Sequence, residues 1–172
     1  MVIIIIIINI IIIIIVIIII IIIIIIIIII IIKALMETFV KVLTQGMKLK
    51  LYTVKENKSP KEVKSKDVKL ELVDSKILQW SNANKRTSIL SLVSGKPKQV
   101  EITSVKTIEW GKRTSVFELL QGDESEDDRC FSLVLEDGNS LDFETSSKVE
   151  RDSLAQGFTI LINSLNQNQL GV

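Results

Sequence analysis

Arg129-Cys130-Phe131-Ser132-Leu133-Val134-Leu135-Glu136-Asp137-Gly138-Asn139-Ser140-Leu141-Asp142-Phe143-Glu144 reads as a β-hairpin. Two runs of strand-favouring residues, Cys130 to Leu135 and Ser140 to Glu144, flank Asp137-Gly138-Asn139, whose residues tolerate the positive φ of a tight turn. The period then changes. Val149, Leu154, Phe158, Ile160, Leu161, Ile162 and Leu165 place an apolar stripe on a helix starting near Ser146 or Ser147. Ser147 followed three residues later by Glu150 has capping-box spacing. Gly157 costs that helix about 1 kcal/mol against Ala, so it is expected to mark close packing.

Working back from the hairpin, short β-type runs recur at Met47 to Val54, Val68 to Val73, Lys76 to Trp80, Gln99 to Ile102 and Ser104 to Trp110. Their spacing predicts antiparallel pairing, with Asp74-Ser75 as a second turn. Lys55 to Asp67, with five lysines and Ser59-Pro60, reads as a polar loop, as does Gln121 to Arg129 with its acidic cluster. That cluster lacks the ligand spacing of a calcium site and reads as a solvated loop. Trp80 and Trp110 are expected to pack on strands, Trp110 being partly exposed beside Gly111. The chain has one cysteine and no histidine, which excludes an internal disulfide and a zinc cluster and fits a reducing compartment. Cys130, inside an alternating apolar run, reads as a small buried hydrophobe.

Residues 1–33 stand apart. From Ile3 to Ile32 every residue is isoleucine except Asn9 and Val16, and no charge occurs before Lys33. By length and composition this tract exceeds the roughly 20 apolar residues that cross a bilayer. Val, Asn and Met each differ by one base from an ATT isoleucine codon, so a translated repeat, with Met1 a start codon inside it, explains the same residues. A cleaved signal fits worst, since there is no basic n-region and no small-residue cleavage site. If the tract inserts, Lys33, Lys41, Lys48 and Lys50 follow it with only Glu37 opposing, which places the remainder in the cytosol as part of a single-pass protein. Exposed to water, a β-branched run of low charge is an aggregation hazard.

The positive mean hydropathy comes from the tract; the other residues, about 140, have an ordinary composition and suffice for one domain. A net charge of +1 conceals an asymmetry. Lys33 to Gly122 holds 18 basic and 9 acidic residues, and Asp123 to Val172 holds 3 and 11. A basic face on a near-neutral protein suits anionic lipid or phosphate better than nucleic acid.

Seven strands followed by one amphipathic helix is the order of a pleckstrin homology (PH) domain. The chain resembles the PH domain of phosphoinositide-specific phospholipase C, the delta type above all. The resemblance rests on Thr44-Gln45-Gly46-Met47-Lys48-Leu49-Lys50, Trp110-Gly111-Lys112-Arg113-Thr114, Glu126 to Asp137, Asn139 to Phe143 and Ala155-Gln156-Gly157-Phe158. It covers roughly Thr38 to Leu165. It implies a mainly β fold, a seven-stranded partly open barrel of two orthogonal antiparallel sheets capped by a C-terminal helix. The domain would span 38–165, with the poly-isoleucine segment outside it and 166–172 as a tail.

What the resemblance implies for function is phosphoinositide binding at the cytoplasmic, peripheral face of an anionic membrane. Lys48 and Lys50 match the two alternating first-strand lysines that hold inositol phosphates, and period-two alternation puts both ammonium groups on one face. Lys85 is the best match to a further basic residue after the third strand, with Arg86 beside it. Lys66, Lys112 and Arg113 are expected to assist. Two departures stand out: Lys64-Ser65-Lys66-Asp67-Val68 replaces an aromatic and arginine cluster, giving point charges where arginine gives bidentate contacts, and Phe158 takes the helix position usually held by tryptophan. Catalysis is not expected, because these phospholipases use paired histidines and a calcium site on a separate barrel. No cofactor or metal is implied. The alternatives are a module that docks a signalling protein, and a piece of a phospholipase C separated from its catalytic barrel.

Overall fold

The computed structural model describes residues 2–55, 62–83, 98–120 and 126–170. Two compact units divide the chain, Met1–Thr38 and Phe39–Val172.

The first unit is helical. Helix α1 (Val2–Gln45) begins in the isoleucine tract and ends seven residues into the second unit. β-Branched side chains disfavour helix in water, whereas in hydrocarbon a helix is one of the few ways a chain can satisfy its own backbone. Ile3 to Ile32 are exposed throughout, and Ile3–Gln45 is the one described helix long and apolar enough to cross a membrane.

The second unit is a seven-stranded antiparallel sheet with a helix after it: β1 (Met47–Lys55), β2 (Glu62–Val73), β3 (Ile77–Asn82), β4 (Lys98–Glu101), β5 (Val105–Trp110), the short helix α2 (Ser115–Glu118), β6 (Cys130–Leu135), β7 (Ser140–Glu144) and α3 (Lys148–Leu170). Hydrogen bonding is continuous in the order β4-β3-β2-β1-β7-β6-β5, so the two expected sheets share one ladder through β1 and β7. All seven strands lie where the sequence places them, to within a few residues. β2 is the largest departure, running back to Glu62 through residues read as loop. Its polarity reflects exposure: of Glu62 to Asp67, which pair with Lys50 to Lys55, only Val63 is partly buried, against the cluster of Tyr52, Phe117 and Cys130.

Both turns form. Asp74 and Ser75 take φ 50° and 58°, the left-handed pair of a type I′ hairpin. At the other, Gly138 has φ 84° and the Asp137 carboxylate accepts from the Asn139 backbone N–H at 2.9 Å. The cap of α3 is a shifted capping box. Ser147 Oγ accepts from the Glu150 N–H at 3.2 Å, while Glu150 reaches back to the Ser146 N–H at 2.9 Å, one residue before the usual partner. α3 then runs to Leu170, through the residues read as a tail.

The core lies under the sheet and against α3. Leu49, Leu51, Val68, Leu70, Leu72 and Leu78 alternate inward from β1 to β3, and Phe131, Leu133 and Phe143 do so from β6 and β7. Phe131 and Phe143 stack at 5.4 Å, and Phe158 of α3, fully buried, lies 6.2 Å from Phe131. Phe158 also meets Phe39 edge-on at 5.3 Å. Phe39 and the fully buried Leu43, both on the last turns of α1, therefore belong to this core. The Phe39 ring lies over Gly157, where an added Cβ would come within 2.7 Å of Phe39 Cγ. Gly157 thus does mark close packing, and Phe39 is the partner.

Trp80 is buried and Trp110 partly exposed, with the Arg151 guanidinium 4.9 Å from its ring centroid. Cys130 is buried, in a cluster with Tyr52 and Phe117.

Candidate functional site

Lys48, Lys50 and Tyr52 alternate with the core residues Leu49 and Leu51, so all three project from the outer face of β1. The face changes character along its length. At Tyr52 it is closed by α2, whose Phe117 ring lies 5.3 Å from the tyrosine ring. At Lys48 and Lys50 it stays open. A cleft of about 490 Å³ begins there, lined by Lys48, Lys50, Asp67, Arg129, Glu144 and the start of the loop after β7.

The register explains the grouping. Lys50 stands directly across from Glu144 of β7, and Glu144 across from Cys130, the residue after Arg129. The buried Glu144 carboxylate accepts two hydrogen bonds and pairs with a third group. Lys50 Nζ lies 2.9 Å and Tyr52 Oη 2.6 Å from Oε2, and Arg129 Nη2 lies 3.1 Å from Oε1. Burial alone would raise the pKa of this group. Hydrogen bonds from Tyr52 and Lys50, with the charges of Lys50 and Arg129, outweigh burial and hold it below the usual carboxylate range.

The cations differ in what they have left to offer. Among the described residues Lys48 has neither an ion pair nor a hydrogen bond, and it is exposed. Lys69, opposite Lys48, is paired with Glu71. Arg129 is held by Glu144 and, at 3.7 Å, by Glu126, yet its Nε–H is buried without a hydrogen-bond partner. This arrangement suits an oxyanion that Lys48 meets first and that shares donors of Lys50 and Arg129. Among the described residues no His, Cys, Asp or Glu group is placed to hold a metal ion.

Of the residues singled out from sequence, Lys48 and Lys50 are brought together. Lys66 is not: it pairs with core-facing Leu51 and so lies on the other face of the sheet, where partial burial first and nearby Lys98 second lower its pKa. Lys112 and Arg113 stand on the turn after β5, tied to Asp127 through the Lys112 N–H at 2.6 Å, and do not line the cleft. Lys85 and Arg86 lie outside the described residues. Arg129, part of the Glu126 to Asp137 motif, joins the cleft without a signal in the sequence, because it precedes β6, which reaches β1 only across β7.

Seven antiparallel strands and a C-terminal helix, with the outer face of β1 open at its lysines, define a pleckstrin-homology-like module. Among solved structures the chain is similar to Inner Membrane Complex Sub-compartment Protein 1 from Toxoplasma gondii, with a TM-score of 0.52 at 15% identity over 76% of this chain and 92% of that one. It is also similar to the PH domain from TgAPH (TM-score 0.46, 14% identity, 78% and 93% covered) and to the C-terminal PH domain of human pleckstrin (TM-score 0.43, 12% identity, 71% and 93% covered). At such identities the likeness is one of fold. No protein-family model and no curated protein matches the sequence.

Proposed function

We propose that this chain is a non-catalytic membrane-recruitment module that binds phosphoinositide head groups in the cleft beside β1. The observation that carries the reading is the convergence of Lys48, Lys50 and Arg129 on one open cleft, with Lys48 exposed and without an ion pair among the described residues. The sequence likeness to the PH domain of delta-type phospholipase C supports the same ligand class. Each basic group near an anionic surface contributes on the order of 1 kcal/mol, so three give reversible recruitment. Should the isoleucine helix insert, its anchoring would add to head-group binding by keeping the cleft at a high local concentration of lipid.

The test is calorimetry on the full chain in neutral detergent micelles, titrated with short-chain phosphatidylinositol bisphosphate and, in parallel, short-chain phosphatidylserine. Saturable binding of the phosphoinositide with little response to phosphatidylserine is expected. Equal responses would reduce the reading to bulk electrostatics, and no response to either would favour a protein partner.

A further inference from the structure

We infer that Glu144 sets the head-group selectivity of the cleft, limiting it to recognition of one phosphate and cancelling the advantage of a second. This deepens the phosphoinositide reading and rests on it.

The argument begins with where the carboxylate sits. Glu144 is not a rim charge that a ligand could displace into water. It is 5% exposed, on the strand next to β1, and both of its oxygens are engaged. Two of the three cleft cations, Lys50 and Arg129, are its partners. A first phosphate can take Lys48 and the remaining N–H groups of Lys50 without disturbing these contacts. A second phosphate, placed deeper, approaches Lys50 and Arg129 where the carboxylate already stands. Repulsion between two like charges about 5 Å apart is comparable with the gain from one further ammonium contact, so the second phosphate adds little. Tyr52 strengthens the effect, because its hydroxyl donates to Glu144 and α2 seals it from solvent, which fixes the carboxylate in place.

The experiment compares short-chain phosphatidylinositol monophosphate and bisphosphate by calorimetry on the full chain in micelles, in wild type and in Glu144→Gln. Wild type is expected to bind the two within about threefold of each other. Glu144→Gln is expected to prefer the bisphosphate by about tenfold, the preference arising from tighter bisphosphate binding. Should Glu144→Gln fail to fold, Glu144→Thr serves, since a small β-branched residue suits the strand. A tenfold bisphosphate preference already present in wild type, or a ratio that neither variant moves, would overturn the inference and leave phosphoinositide binding standing. Absence of binding to both lipids in wild type would overturn the underlying reading and the inference with it. Soluble inositol phosphates of matching phosphate number are expected to repeat the ratios; discrimination confined to acylated lipids would refute a role for Glu144.

Discussion

Gly157→Ala tests whether the end of α1 is an integral part of the folded module. Alanine is the better helix former by about 1 kcal/mol, so on propensity alone the change should stabilise α3. The packing says otherwise. The new methyl group would fall well inside van der Waals contact of Phe39 Cδ2 and Cε2 and 2.7 Å from Cγ, where carbon atoms prefer about 3.5–4.0 Å. Phe39 cannot retreat without giving up its edge-on contact with the buried Phe158. Overpacking of this kind costs about 1–3 kcal/mol, which leaves Gly157→Ala destabilising by about 1 kcal/mol after the propensity gain. In a Phe39→Ala background the obstacle is gone, and the same substitution should become stabilising by about 1 kcal/mol. The assay is urea unfolding of the full chain in micelles, followed by Trp80 and Trp110 fluorescence, over the four members of the cycle. If Gly157→Ala destabilises equally with and without Phe39, the glycine serves something other than this contact and the reasoning fails.

Acid stability should depend on Glu144. Its folded pKa lies below the unfolded value of about 4.3, so its stabilisation is present above that value and is lost as pH falls through the folded pKa. Unfolding free energies at neutral pH and near pH 3 should therefore differ less in Glu144→Gln than in wild type; an unchanged difference would contradict the assigned ion pairs. At the turn between β2 and β3, Ser75 holds φ 58° without being glycine. Ser75→Gly should raise stability by roughly 1 kcal/mol in the same urea assay, the strain of a left-handed residue, and a loss would show that the serine side chain is needed there.

Local alternation and turn chemistry made most of the fold legible. β6, the Asp137–Asn139 turn and β7 match the sequence reading, because Phe131, Leu133, Leu141 and Phe143 alternate inward around a turn, although Ser132, Asp142 and Glu144 on the other face are buried as well. The outer half of β2 reads as loop because Val63 is its one partly buried residue, which leaves no alternation to read. α2 was missed because it is a single turn, and its Phe117 answers to Tyr52 and Cys130, far away in sequence. The last turns of α1 carry Phe39, Val40, Val42 and Leu43, but they follow the isoleucine run on the same helix, and only Gly157, 118 positions beyond Phe39, marks where close packing occurs. For the site, period two was enough to put Lys48 and Lys50 on one face. It could not show that Lys66 lies on the other face, nor that Arg129 and Glu144 join the lysines, since these depend on strand register across the β1–β7 seam.

The most direct measurement is the affinity of the Lys48→Ala/Lys50→Ala double variant for short-chain phosphatidylinositol bisphosphate, set beside the wild-type full chain in the same micelles, with near-ultraviolet circular dichroism to confirm the fold. The account predicts an unchanged spectrum and selective binding reduced by about thirtyfold, as the loss of two basic groups at about 1 kcal/mol each implies. A folded double variant that binds as tightly as wild type would contradict it.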